Sequence, residues 1–197
     1  IKSFQTKLTH GSYNLNKITF NINYPVTKNI FVNTTHTLNK SDGYIKNKYL
    51  TNENSNQTDE SLSKIKFLLK YNNNSQTLLT HYYINLNNKY DAWTIDNNGF
   101  ITQSDFQGYD KHKTNATSLK TTYKKNKFKI TCISSYNYNN LKYAYDGDWG
   151  NTNLWESDPY NWDPLTGYYD WNFPDITYRK KKIANQEIRI KYNNTLI

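Results

Sequence analysis

The sequence predicts an all-β protein: an antiparallel β-sandwich of the single jelly-roll kind, with long loops and at most one short helix. Three observations predict it. Apolar and polar residues alternate with a period of two through most of the apolar segments. The chain holds 19 Tyr, 8 Phe and 5 Trp, ring side chains that favour strands and supply buried area where the mean hydropathy is only −0.97. Turn-forming residues separate the alternating runs, and no βαβ pattern or internal repeat is visible.

The elements follow in order. Ile18-Thr-Phe20-Asn-Ile22 alternates and stops before Pro25, and Ile30-Phe-Val32 is a short apolar run. Lys64 to Lys70 begins as alternation and thickens into a core strand. Leu78 to Leu86 is another strand, and Ala92-Trp-Thr-Ile95 a shorter one ended by the turn signal Asp96-Asn-Asn-Gly99. Lys127 to Ser134 and Glu187 to Tyr192 alternate. The one helical signal lies in 115–127, where Leu119 and Tyr123 stand four apart. A chain of 197 residues is read as one β domain, 1–197, with a polar Asn/Ser-rich loop at 39–63 and an acidic aromatic loop at 143–175.

Charge is segregated. The net charge is +9, yet 143–175 contains no Lys or Arg and holds seven acids, Trp149, Trp155, Trp162 and Trp171. The rest of the chain carries all 25 bases against the remaining nine acids. Lys111, Lys113, Lys124, Lys125, Lys127, Arg179, Lys180, Lys181 and Lys182 form basic clusters suited to a polyanion, because each neutralised phosphate releases counterions. Few Arg among many Lys point to backbone contact rather than base readout, so the expected partner is single-stranded nucleic acid held by its backbone. Trp149, Trp155, Tyr160, Trp162, Tyr168, Tyr169 and Trp171 are the candidate interface, receptor or glycan residues, since rigid rings anchor both protein interfaces and sugar faces.

Other chemistry is scarce. Cys132 is the single Cys, which excludes an intrachain disulfide, and alternation puts it on one strand face with Phe128 and Ile130. Asp146-Gly-Asp148 to Asn153 lacks the spacing and terminal Glu of an EF-hand loop, so no metal is expected. The four His are scattered, no Gly-rich phosphate loop occurs, and no cofactor or enzyme activity is expected. No apolar run approaches 18 residues and no signal peptide is visible, so membrane insertion is not expected. The chain starts at Ile1 and contains no Met, which reads as a processed or trimmed product.

Three stretches resemble the capsid proteins of small circular single-stranded DNA viruses, the circovirus-like group. They are Asn185 to Tyr192, Ile101 to Asp110 with Thr117-Ser-Leu119 and Tyr123-Lys124, and Phe20 to Pro25. The resemblance implies a jelly roll that assembles symmetrically into a virion shell, basic inside, with 143–175 outside or between subunits. The resulting expectation is a self-assembling coat subunit enclosing nucleic acid. The alternative from the Trp and acid residues is a secreted or surface carbohydrate-binding module or adhesin.

Overall fold

The computed structural model describes residues 2–93, 99–162 and 171–192. The all-β, antiparallel class holds, with one short helix. Eight strands form a single antiparallel sheet: β1 Ser3–Gly11, β2 Leu15–Pro25, β3 Ile30–Ser41, β5 Thr58–Asn72, β6 Ser75–Tyr90, β8 Gly108–Lys125, β9 Phe128–Asp146 and β10 Pro174–Tyr192. Between them lie the two-residue strands β4 Lys46–Asn47 and β7 Ile101–Thr102, paired in parallel, and the helix α1 Thr152–Glu156.

The arrangement within that class differs from the expected jelly-roll sandwich. Each long strand lies beside its predecessor in the chain, so the sheet is an up-and-down meander without Greek-key crossovers. It is also one layer thick. Among the described residues the buried apolar ones are Ile45 and Ala144 alone, too few for two packed sheets. The surface area, 13618 Å², far exceeds the roughly 9,700 Å² that scaling gives for a compact globular chain of this mass.

The connections separate by length. The hairpins at 26–29, 73–74 and 126–127 turn tightly at one end of the sheet. At the other end lie the β1–β2 turn and the long connections 42–57, 91–107 and 147–173. Both edge strands start or finish at the short-turn end, with Ser3 on β1 and Tyr192 on β10.

Several sequence expectations shift here. Residues 115–127 form the end of β8 and its hairpin, not a helix. A spacing of four places Leu119 and Tyr123 on one face of a strand as well as of a helix, so that pair cannot distinguish the two. The helix is α1, where the Asn151 side chain accepts from the Leu154 N–H at 3.0 Å. Ala92 and Trp93 are not in a strand, and residues 94–98 lie outside the described residues. The span 39–63 is strand at both ends, and its middle is an ordered cap rather than an open loop. Within it Asn47 is fully buried, its amide donating to Asp91 Oδ2 (3.1 Å) and the Ser104 carbonyl (2.9 Å), its Oδ1 accepting from Leu50 N–H (2.9 Å). Thr102 donates to the same Asp91 oxygen at 2.7 Å, and Gln107 donates to the Ser55 carbonyl at 2.9 Å. Polar side chains that satisfy one another thus build this cap where apolar ones are lacking. In 143–175, residues 143–146 end β9 and 174–175 begin β10, while 163–170 lie outside the described residues.

Candidate functional site: a two-faced curved wall

Alternation along each strand and the pairing register sort the sheet into two faces. One row shows the first: Phe4, Ile22, Thr34, Ile65, His81, Thr117, Tyr136 and Ala184 face the same way across all eight strands. Among the described residues, eighteen exposed large hydrophobic residues of the strands lie on this face, against Leu62 and Tyr82 on the other. From Phe4 to Leu8 on β1, Ile18 to Tyr24 on β2, Ile30 to Leu38 on β3, Ser61 to Leu69 on β5, Thr77 to Asn85 on β6, Asn115 to Tyr123 on β8, Phe128 to Tyr138 on β9 and Ala184 to Tyr192 on β10, this face carries no Asp, Glu, Lys or Arg.

Most polar residues within that band bond to one another. His36 pairs with Ser63 at 2.8 Å, His81 with Thr117 at 2.8 Å and Thr77 with Thr121 at 3.0 Å, and Ser134 donates to Gln186. Aliphatic residues occupy the middle of the band, among them Ile22, Ile65, Leu79, Leu119 and Ile188. Rings stand at its borders: Tyr24, Tyr123, Phe128 and Tyr192 toward the short turns, Tyr83 and Tyr138 toward the long connections.

The opposite face is polar and hydrogen-bonded. Asn23 donates to Ser3 at 2.8 Å and Asn33 to Asn23 at 2.7 Å. Asn21 donates to Thr35 at 2.7 Å, and Asn39 and Asn88 both donate to Glu60, at 3.0 and 3.1 Å. This polar face is the enclosed one. Thr80, Thr114, Thr122 and Thr131 all lie on it and are only 6–7 % exposed. Small side chains on a flat open sheet stay within reach of water, so their burial means that the sheet curls toward its polar side. Apolar residues cover the convex surface.

The predicted basic residues do not form one site. Lys111, Lys113, Lys180 and Lys182 stand on the convex face just beyond the apolar band, toward the long connections, where Lys142 joins them. Lys142 escaped the sequence reading because it is isolated in the chain and meets the others only through register. Arg179 and Lys181 alternate onto the polar face. Lys124, Lys125 and Lys127 lie at the opposite, short-turn end.

The predicted aromatic residues gather on the connection between β9 and β10. Trp155 packs on Tyr160 (5.0 Å between centroids) and Trp171 (5.4 Å), and Trp162 meets Trp171 edge-on at 5.5 Å. Trp149 stacks at 4.6 Å on Trp93, a partner the sequence did not single out. Tyr168 and Tyr169 lie outside the described residues. Beneath this cluster Asp146, 6 % exposed, faces Asp148 and Asp105, and burial with those two charges pushes its carboxyl up to about 7. Burial and a hydrogen bond to Tyr90 likewise push the Tyr143 hydroxyl up. Cys132 is half-buried on the convex face beside Ile188. No group of three metal-ligating side chains occurs among the described residues. No protein-family model and no curated protein matches this chain.

Proposed function

We propose that the chain forms wall of a membrane-spanning β-barrel, its convex face toward lipid, its polar concave face lining the lumen, and its folded Trp-rich connections on one aqueous side. The observation that carries this reading is the uncharged apolar band on the convex surface of a sheet whose enclosed side is polar. Water-soluble sheets bury the apolar side; a barrel in a membrane does the reverse.

Four further features support it. On five of the eight strands the band is nine residues long, as from Asn115 to Tyr123, a strand length of about 26 Å, close to the hydrocarbon band of such barrels. Its borders carry rings, the side chains that settle at membrane interfaces. One end has tight turns and the other long connections. The band also slides along the sheet. The row that holds Phe4 on β1 holds Ala184 on β10, while the most exposed aliphatic residues of β10, Ile188 and Ile190, stand closer to the short turns. That slant is the stagger a tilted-strand barrel requires. Among the described residues no helix is long and apolar enough to cross a membrane, a criterion that does not bear on strands. The sequence expectation of no insertion used the helical criterion and had no view of the two faces.

A self-assembling coat subunit is the second reading. Lys64, Lys66 and Lys120 on the concave face favour it, as a basic inner surface for nucleic acid. One experiment separates the two. The refolded chain is mixed with neutral phosphatidylcholine vesicles, floated and treated with protease. A barrel wall floats and resists digestion. Leu79→Lys, on the lipid face, destabilises the inserted form by about 2–4 kcal/mol, and Ser118→Lys, on the lumen face, leaves insertion intact. A chain that stays at the bottom of the gradient, as closed particles or soluble protein, defeats the membrane reading.

A further inference from the structure

The convex face changes character abruptly above the apolar band. Lys111 and Lys113 on β8, Lys142 on β9, and Lys180 and Lys182 on β10 stand there on three adjacent strands. Lys111 and Lys142 are direct cross-strand partners, a like-charge pair that an anion placed between them would relieve. Asn85, Asn87, Lys111, Lys113, Asn140 and Lys142 line a hollow of about 400 Å³. Asp59, Leu86 and His112 line it too; Asp59 is engaged by Lys40 at 3.4 Å, and Asp110 points to the polar face. Among the described residues none of the five Lys has an acidic partner within salt-bridge distance. The Lys111 and Lys142 ammonium groups ride over the rings of Tyr109 (5.2 Å) and Tyr178 (5.8 Å). Those two hydroxyls meet at 3.2 Å above the small, fully buried Ala144.

We propose that this hollow is a binding site for the phosphate of an anionic lipid headgroup. The inference rests on the membrane-wall reading and adds to it a specific lipid contact on the long-connection side. A lipid presents its groups in the order this face requires, phosphate beside the lysines and acyl chains along the uncharged band. A nucleic acid would meet the same lysines but gain nothing from the apolar surface directly below them. The Asn amides supply neutral donors, and the Tyr109–Tyr178 pair sits at headgroup level.

The chain, refolded in a neutral detergent, is titrated with short-chain phosphatidic acid and separately with inorganic phosphate, followed by phosphorus NMR. Saturable phosphatidic acid binding is expected, at least tenfold weaker in K111Q/K113Q/K142Q and unchanged in K120Q/K124Q/K129Q. Inorganic phosphate binds far more weakly. Equal loss in both triple variants, no loss in the first, or equal affinity for inorganic phosphate overturns the assignment. Floating the first triple variant on neutral vesicles keeps the two proposals distinct. Insertion there together with lost phosphatidic acid binding supports both. Insertion of a wild-type chain that does not bind phosphatidic acid overturns only the lipid site.

Discussion

Asp146 shows how a single side chain records its surroundings. The carboxyl is held among Asp148, Asp105 and the cap, accepts the Asp148 N–H at 3.3 Å, and titrates near 7 instead of 3.8. A raised carboxyl means that the folded chain holds a proton the unfolded chain has lost. Stability contributed by this group therefore falls as pH rises from about 4 to about 7 and is flat beyond. Asp146→Asn should remove that slope, read as the pH dependence of the urea midpoint; an unchanged slope would assign it to another group. Gly108 is constrained as closely, because a Cβ there would lie 2.5 Å from the Ala144 carbonyl and 2.6 Å from that of Tyr90. Its missing side chain also leaves room for Tyr90 to reach Tyr143, 5.1 Å away. Alternation marks Gly108 only as a strand weakness; its use is visible once three strands are side by side.

Among the elements, the cap has the least expected construction. Its buried residues are chiefly Asn47, Ser55, Asp91, Thr102, Ser104 and Asn151, joined by hydrogen bonds rather than by apolar contact. An Asn-rich, Ser-rich stretch looks like a solvated loop in sequence, since composition does not reveal which amides find partners. Asn47→Ala strips Asp91 and the Ser104 carbonyl of a donor and should cost about 1–3 kcal/mol. The loss should appear as an earlier fluorescence transition from the stacked Trp93 and Trp149, with the strand signal in far-ultraviolet circular dichroism unmoved. Coincident melting of both signals would show that cap and sheet are one cooperative unit. The long strands themselves were only partly readable. β1 is hidden in the sequence because Thr6 and His10 dilute its apolar positions, and the first half of β10 because Arg179 to Lys182 look like a basic run.

At the scale of the whole molecule the unresolved demand is at the edges. β1 and β10 each present one unpaired row of N–H and C=O groups, and a lipid environment tolerates none. On the proposed membrane reading the wall closes, by the two edges meeting or by further strands. Amide exchange of the chain in vesicles should then protect the outward-pointing amides of both edge strands as strongly as those of β6. Edge amides that exchange at loop rates would show an open sheet and exclude spanning. What the sequence alone determined was the strand class, the antiparallel alternation and the separation of a basic body from an acidic aromatic connection, because those are properties of neighbouring residues along one chain. Tertiary structure alone decided which alternating residues share a face, which face is enclosed, and that Lys142 joins lysines from two other strands. Register and curvature set those relations, and both arise between strands far apart in the chain.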